Sequence, residues 1–288
     1  NVIGRPQILK FRRGAPGSAP DYRYYAAVAS GVNNYVDDGR WSDGAPAIFL
    51  LDLAKPANEA WVEGTNYYKI KFPLASTAVA SGMLGFTARL GAADEVIAMF
   101  AGDLQGNLWK LAFTTVGADD WTFAELGYYS NDSDEKIPMY VAMDANGLRQ
   151  PISMEPLLAF APNRSIFVAF GTGKFIEVSD ISGTNQPQSV YAVIDNNSAE
   201  PDTTSGATAA IAGRGRLQQG TSDGTTVTVP DFNWGRPLSD GETTSRSGWY
   251  FDFNGSGAAG SEPGTGERQI SNFAVLAAFA DQGKASIV

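Results

Sequence analysis

The stretch Phe100-Ala-Gly-Asp-Leu-Gln-Gly-Asn-Leu-Trp109 decides the fold of this chain, because it predicts a strand, a tight turn and a second strand. Gly106 followed by Asn107 suits a turn position with positive φ, and the carboxylate of Asp103 can accept backbone N–H bonds inside the turn. Trp109 falls in the second strand, where a large apolar side chain can fill the space between packed sheets. We assign structural roles in this hairpin to Gly102, Asp103, Gln105, Gly106, Asn107 and Trp109.

Similar patterns of an apolar strand, a small-residue turn and a second strand recur along the chain. The turn glycines Gly31, Gly102 and Gly171 are 71 and 69 residues apart, and the run from Phe273 to Ala280 is a weaker fourth copy. A quasi-regular period with several strands per repeat indicates a β-propeller. We expect blade-like units at about 20–75, 76–145, 146–200 and 230–288, with a loop-rich insertion at about 196–228.

The repeats predict an all-β chain whose residues 1–288 form part of a single β-propeller domain. Helical signals are few, and Gly85 and Gly91 interrupt the best helical window, Leu84–Glu95. Propellers close with roughly 4–8 blades, and an unclosed one leaves strand edges open. We therefore expect roughly four blades of a longer propeller in this chain.

The composition excludes several classes of function. The chain has no histidine and no cysteine, which removes Ser-His-Asp catalysis, thiolate nucleophiles and zinc or iron–sulfur ligation. Its formal net charge of −10 disfavours nucleic acid and anionic membrane surfaces as partners. No apolar run reaches the roughly 18 residues of a transmembrane helix, so we expect no membrane span in this chain.

The segment Ala101-Gly-Asp-Leu-Gln-Gly-Asn-Leu-Trp109 resembles the signature of the C-terminal propeller of the PilC/PilY family, the type IV pilus tip-associated adhesins. Further segments are similar to that family in the same order, and the resemblance spans about residues 25 to 280. These segments are Ala29-Ser-Gly-Val-Asn-Asn34 with Ala47-Ile-Phe-Leu-Leu-Asp52, Gln150-Pro-Ile-Ser153 with Phe170-Gly-Thr-Gly-Lys-Phe175 and Gln188-Ser-Val-Tyr191, and Gly248-Trp-Tyr-Phe-Asp252 with Gly266-Glu-Arg268.

The resemblance implies a modified seven-bladed propeller on an exported, cell-surface protein at the pilus tip. It also implies a non-enzymatic role in pilus assembly, surface adhesion and twitching motility, with minor pilins as partners and a host or abiotic surface as a further ligand. On this reading the chain has no catalytic residues and no cofactor-binding residues, and the signature turn serves the scaffold.

Many members of the family carry a calcium loop just before the signature strand. The resemblance places its four ligand positions at Arg89, Gly91, Ala93 and Ile97. None of these side chains is an oxygen ligand, whereas calcium takes roughly six to eight oxygens. We therefore expect no metal at this loop. Asp132 and Asp134, at alternate positions of a second acidic turn, are the remaining calcium candidates; the simpler interpretation is a solvated turn.

Two other classes of function stay open. A secreted propeller enzyme, either a glycosidase or a quinone-type dehydrogenase, would need carboxylates that converge in one central funnel. A glycan-binding propeller would use exposed loop aromatics such as Tyr22 and Tyr24. Every acidic pair in this chain lies in a turn context without a distinctive motif, which favours the non-enzymatic reading.

Overall fold

The computed structural model describes residues 4–32, 44–77, 81–131, 133–160, 165–180, 186–195, 210–223, 226–235, 245–253, 268–273, 275–276 and 286–287. Three sheets of four or five strands, paired almost entirely antiparallel, contain most of the regular structure in these ranges. The prediction of an all-β chain is confirmed.

The first two sheets each contain four strands that pair in chain order. Sheet one consists of β1 (Gln7–Arg12), β2 (Tyr22–Ala29), β3 (Ala47–Asp52) and β4 (Tyr67–Lys71). Sheet two consists of β5 (Phe86–Leu90), β6 (Val96–Gly102), β7 (Asn107–Ala112) and β8 (Tyr140–Val141).

Sheet three consists of β9 (Leu157–Phe160), β10 (Ile166–Gly171), β11 (Ser189–Asp195), β12 (Gln218–Gln219) and β17 (Gly248–Asp252). Its strands have the order β12-β17-β11-β10-β9. Three short pairs complete the strands: β13 (Thr221–Ser222) with β14 (Val227–Thr228), β15 (Asn233–Trp234) with β16 (Ser245–Arg246), and β18 (Val275–Leu276) with β19 (Ser286–Ile287). The described helices are α1 (Phe123–Leu126) and the 3₁₀ turns Ala118–Asp120, Val178–Asp180 and Arg214–Arg216.

Sheet two lies between the other two sheets and is buried on both faces. Along β6, Met99 and Ala101 pack in a core with sheet one, whereas Ala98 and Phe100 pack in a core with sheet three. This alternation is the period-two pattern of a strand, because successive side chains point to opposite faces. The Trp109 ring packs in the first of these two cores.

Aromatic side chains dominate both cores. Trp121 and its neighbours form a cluster of mostly edge-to-face contacts with ring centroids 4.9–5.7 Å apart between sheets one and two. Between sheets two and three, the ring of Tyr140 from β8 lies 5.3 Å from the ring of Tyr191 and 6.2 Å from that of Phe170. Such pairs contribute roughly 0.5–1.5 kcal/mol each beyond their buried area, so the sheets are held face to face chiefly by apolar packing.

Two features of the sheets differ from the sequence prediction. The helical window Leu84–Glu95 contains strand β5 and a tight turn, because Asp94 takes a positive φ of 58° that turns the chain into β6. The strand Gly248–Asp252 pairs with Ser189–Asp195, so it belongs to sheet three and not to a separate unit at 230–288. Strand β12, inside the predicted insertion, joins the same sheet. The fourth apolar run at Phe273–Ala280 lies mostly outside the described residues, and the number of blades stays a prediction.

Four hairpins share one five-residue turn, at residues 91–95, 103–107, 131–135 and 144–148. In each, the first residue donates its backbone N–H to the carbonyl of the fifth. The fourth residue has positive φ: 58° at Asp94, 79° at Gly106, 59° at Asp134 and 78° at Gly147. This is the three-residue loop that joins antiparallel strands through one left-handed residue. Glycine and aspartate suit that position because both tolerate positive φ.

No helix within the described ranges is long and apolar enough to cross a membrane.

Buried tyrosines should make the fold sensitive to alkaline pH. Burial raises the pKa of Tyr191 to about 12, against the opposing effect of Arg214, and burial also raises the pKa values of Tyr25 and Tyr140. Because an unfolded tyrosine ionises near pH 10, the native state binds more protons than the unfolded state above that pH. Stability that is complete below pH 10 is therefore lost as the pH approaches 12.

We expect cooperative unfolding in this window, followed by circular dichroism, with part of the phenolate absorbance appearing only together with unfolding. Complete tyrosine ionisation near pH 10 in a chain that remains folded would contradict this expectation.

Candidate functional site

The signature turn between β6 and β7 is built around one carboxylate. Oδ1 of Asp103 accepts the backbone N–H groups of Gln105 and Asn107 at 2.8 and 3.0 Å. Oδ2 accepts Nδ2 of Asn107 and Nε1 of Trp109, both at 2.8 Å. Asp103 is completely buried, and burial raises the pKa of its carboxyl while these four hydrogen bonds oppose the rise. The turn is therefore a fixed part of the interior.

Gly106 fits this turn for two reasons. Its φ of 79° is left-handed, and a Cβ at this position would lie 2.7 Å from the Gln150 carbonyl oxygen and 2.9 Å from that of Ala142. The turn thus packs directly against the strand and loop that follow β8, which leaves no room for a side chain. The predicted positive φ at Gly106 is confirmed.

The side chains of the turn hold neighbouring segments in place. Oε1 of Gln105 accepts the backbone N–H of Ala75 at 2.7 Å, and its Nε2 donates to the Ser76 carbonyl at 2.6 Å. Nη1 of Arg149 donates to the Gln105 carbonyl at 2.9 Å and to Oδ1 of Asn107 at 2.8 Å. The turn thereby positions both the loop that follows β4 and an arginine near the outer strand of sheet two.

These segments enclose a groove of about 390 Å³, which we call the signature groove. This volume is at the lower end of the roughly 300–1,000 Å³ that is typical of ligand sites. The groove is lined by Pro73, Leu74, Ala75, Asn107, Trp109, Lys136, Ile137, Pro138, Tyr140, Val141, Arg149, Ala210, Ile211 and Ala212. Its lining is mainly apolar, with two cations.

A buried network holds one wall of the signature groove. Nη2 of Arg214 donates to Oη of Tyr191 and to Oγ of Ser189, both at 2.7 Å, and lies 2.9 Å from Oδ1 of Asp252. Its guanidinium also covers the ring of Tyr250 at 4.5 Å. Because Arg214 follows the lining segment 210–212 closely, the network fixes that segment against sheets two and three.

A second buried ion pair joins sheets two and three away from solvent. Nζ of Lys110 lies 2.8 Å from Oδ2 of Asp195, and the two side chains are 2% and 0% exposed. Tyr129 donates its hydroxyl to the same carboxylate at 3.0 Å, and the Tyr128 ring lies 3.6 Å from Nζ. Burial lowers the pKa of Lys110, while Asp195 opposes that effect. The pair is inaccessible to a substrate, so we assign it to the scaffold.

The calcium candidates occupy ordinary hairpins. Arg89 and Ile97 lie in β5 and β6, and Gly91 and Ala93 lie in the turn between these strands. Asp134 is the left-handed residue of its turn, and Asp132 lies outside the described residues. No group of three or more acidic residues that could hold a metal occurs in the part of the chain that the structure describes.

A lysine supplies the positive charge at the β5–β6 turn. Nζ of Lys10, from sheet one, donates to the Ala93 carbonyl, and the Glu95 carboxylate accepts the Ala93 N–H at 2.8 Å. The ammonium group of Lys10 therefore already provides a hydrogen-bond donor for the Ala93 carbonyl of this turn.

Replacing Lys10 with methionine should lower the free energy of unfolding by about 1 kcal/mol, the usual net contribution of such a bond.

We also expect that adding calcium leaves the thermal midpoint of the wild-type chain unchanged, measured by differential scanning calorimetry in chelator and in excess calcium. A clear rise of the midpoint in calcium would contradict the expectation of no metal at this hairpin.

The sequence alone did not identify Lys136, Arg149 or Arg214 as residues of a site. Arg214 lies in a Gly-Arg-Gly-Arg run that resembles a mobile loop, and its partners are more than 20 residues distant along the chain. The sequence offered one signal for this site, Gln150, because it stands in a segment similar to the family. Oε1 of Gln150 accepts a hydrogen bond from the Tyr191 hydroxyl.

Comparisons with known proteins agree with this architecture. The family model described as the PilY1 beta-propeller domain matches residues 63–229, which is more than half of the chain. The type IV pilus biogenesis factor PilY1 of Pseudomonas aeruginosa PAO1 is 30% identical over 226 residues, covering 72% of this chain and 18% of the relative. A PilY1 homolog of Xylella fastidiosa is 29% identical over 277 residues, covering 94% of this chain and 16% of the relative.

A solved structure shows the same fold. The crystal structure of the Pseudomonas aeruginosa PilY1 C-terminal domain matches with a TM-score of 0.64 and 22% identity, covering 94% of this chain and 53% of that chain. This chain thus spans about half of that domain and less than a fifth of the curated relatives. The family resemblance noted in the signature segment is confirmed, and this chain belongs to the family of PilY1 beta-propeller domains.

Proposed function

We propose that this chain is the propeller part of an exported, non-enzymatic protein of the type IV pilus, located at the cell surface and pilus tip. Its role would be pilus biogenesis, surface adhesion and twitching motility. Minor pilins would be its partners in the pilus, and a host or abiotic surface would be its further ligand.

The match of the PilY1 propeller model to residues 63–229 carries this proposal. Both curated relatives described above are named as type IV pilus biogenesis factors or as homologues of one. The interior of the described part supports a scaffold and not a catalyst, because three of its buried charged groups are already bound to other protein groups. Asp103 is satisfied by four donors, and Lys110 and Asp195 are paired with each other.

The proposal also includes independence from calcium and from any cofactor in this part of the protein. The calcium-loop positions offer no side-chain oxygen, and the cation that reaches the hairpin is Lys10. No observation on the described residues favours the glycosidase, dehydrogenase or glycan-binding alternatives over this reading.

The test is a chromosomal deletion of the gene in the source organism, complemented with the wild-type gene. We expect the deletion strain to lose most surface pili and twitching motility, and the wild-type gene to restore both. Piliation is measured by shearing and immunoblotting, and motility by the diameter of the twitching zone.

A complementing gene with Arg5→Gln serves as the matched control, because the Arg5 side chain is 78% exposed and reaches Glu155 only at 3.8 Å. This variant should restore both readouts fully. Normal piliation and motility in the deletion strain would overturn the proposed function.

A further inference from the structure

The signature groove combines an apolar floor with uncompensated positive charge. Leu74, Ile137 and Val141 contribute partly exposed apolar surface, and Lys136 and Arg149 lie among them. Neither cation forms an ion pair with any carboxylate among the described residues. In a chain of formal net charge −10, such a pair of cations beside an apolar surface favours an occupant that is itself both acidic and apolar.

The groove also borders the outer edge of sheet two. Strand β8 is the outermost strand of sheet two, and Val141 of this strand lines the groove. The chain already places one of its own segments along this edge, because Ile211 donates its backbone N–H to the Met139 carbonyl at 2.9 Å. An extended backbone therefore fits beside β8, and strand addition of this kind is a common way to bind a peptide.

The groove is held in shape before anything binds. Asp103 fixes the Trp109 ring, Gln105 fixes the loop at Ala75, and Arg214 anchors the segment that contains Ile211. Such preorganisation reduces the entropic cost of binding, because the walls need no ordering.

We propose that the signature groove binds an extended segment of a partner protein in which acidic side chains alternate with bulky apolar ones. The apolar side chains of the segment contact Leu74, Ile137 and Val141, and its carboxylates pair with Lys136 and Arg149. The inference deepens the proposed function, since another pilus subunit would be the source of the segment.

The test uses fluorescence anisotropy with the whole chain and three labelled synthetic peptides. The first peptide is Ser-Asp-Leu-Glu-Ile-Ser, the second is its charge-reversed form Ser-Lys-Leu-Lys-Ile-Ser, and the third is the acidic but polar Ser-Asp-Ser-Glu-Ser-Ser. We expect saturable binding of the first peptide alone, with a Kd below about 1 mM, weakening as salt is added because the charges are exposed.

Two variants locate the binding. Lys136→Gln should raise the Kd about two- to fivefold, the range for one partly exposed ion pair. Ala212→Trp adds a large ring at an exposed lining position and should weaken binding about tenfold or more through steric block. Arg5→Gln removes the same charge outside the groove and should leave the Kd unchanged. Circular dichroism confirms that each variant is folded.

The proposal is overturned if no peptide binds, if the charge-reversed peptide binds as well as the acidic one, or if neither Lys136→Gln nor Ala212→Trp changes the Kd. These outcomes concern the groove alone. Piliation and twitching of the deletion strain report on the proposed function separately, so failure of one is distinguishable from failure of the other.

Discussion

Replacing Asp195 with leucine is expected to lower the free energy of unfolding by about 3–5 kcal/mol, because the substitution leaves a buried ammonium without its partner. Nζ of Lys110 lies 2.9 and 2.8 Å from the two carboxylate oxygens, and both side chains are almost completely buried. The substitution also removes the acceptor of the Tyr129 hydroxyl. The loss is measured by chemical denaturation followed by circular dichroism.

The double variant Lys110→Met with Asp195→Leu provides the control. A buried ion pair replaced by apolar side chains of similar volume often costs nothing, because neither charge remains to be desolvated. We therefore expect the double variant to recover most of the stability that Asp195→Leu loses. A double variant as unstable as the sum of the two single variants would mean that Lys110 and Asp195 have no coupling energy, and it would contradict this account.

The pH dependence of the Asp195→Leu variant gives a second signature. Burial lowers the pKa of Lys110, and the substitution removes the carboxylate that opposes that effect. The unfolded chain keeps this lysine protonated up to about pH 10.5, so it binds more protons than the native state below that pH. Stability must then rise with pH. The free energy of unfolding of Asp195→Leu should therefore approach that of the double variant between about pH 7 and 10. A difference that stays constant over this range would contradict this account.

The sequence predicted the parts of the fold that depend on local chemistry. The turn at Asp103 could be inferred because its partners, Gln105 and Asn107, lie within four residues, and a glycine stands at the left-handed position. The same logic applies to the turn at Asp144, whose carboxylate accepts the backbone N–H groups of Asn146 and Leu148.

The sequence did not reveal features whose cause is distant along the chain. Strand β5 was interpreted as a helical window because its alternation is short, and its burial depends on pairing with β6. Lys110 stands in an apolar strand with no local sign of a partner, since Asp195 is 85 residues away. The signature groove has the same origin, because its lining residues come from β7, from β8 and the segments on either side of it, and from the segments that follow β4 and β11.

The signature turn at Asp103 differs from the related turn at Asp144 in the side chains that its carboxylate holds. Asp103 and Asp144 begin similar five-residue turns. In each, Oδ1 of the aspartate accepts the backbone N–H groups of the residues two and four positions later, and a glycine stands three positions later. Only Asp103 also binds two side chains, Nδ2 of Asn107 and Nε1 of Trp109. The first turn therefore orients a groove residue, whereas the second only closes a hairpin.

Replacing Asp103 with alanine is accordingly expected to lower the free energy of unfolding by about 4 kcal/mol or more. Four donors lose their acceptor, and two of them, on Asn107 and Trp109, belong to buried side chains. Each buried donor left unsatisfied costs roughly 1–3 kcal/mol. The matched control is Asp144→Ala, which frees two backbone donors of an exposed turn and should cost only about 1–2 kcal/mol. Both losses are measured by urea denaturation at neutral pH.

The isosteric variant Asp103→Asn separates hydrogen bonding from turn geometry. Its Oδ1 can still accept the two backbone N–H groups. Its NH₂ group, which replaces Oδ2, would face the donors of Asn107 and Trp109 and could not accept a hydrogen bond from either. If the side-chain bonds to Asn107 and Trp109 carry the difference between the turns, Asp103→Asn should be nearly as destabilising as Asp103→Ala. The corresponding Asp144→Asn should be close to neutral, because its second oxygen has no partner among the described residues. Equal effects of the two asparagine substitutions would show that the signature turn is no more than a hairpin closure.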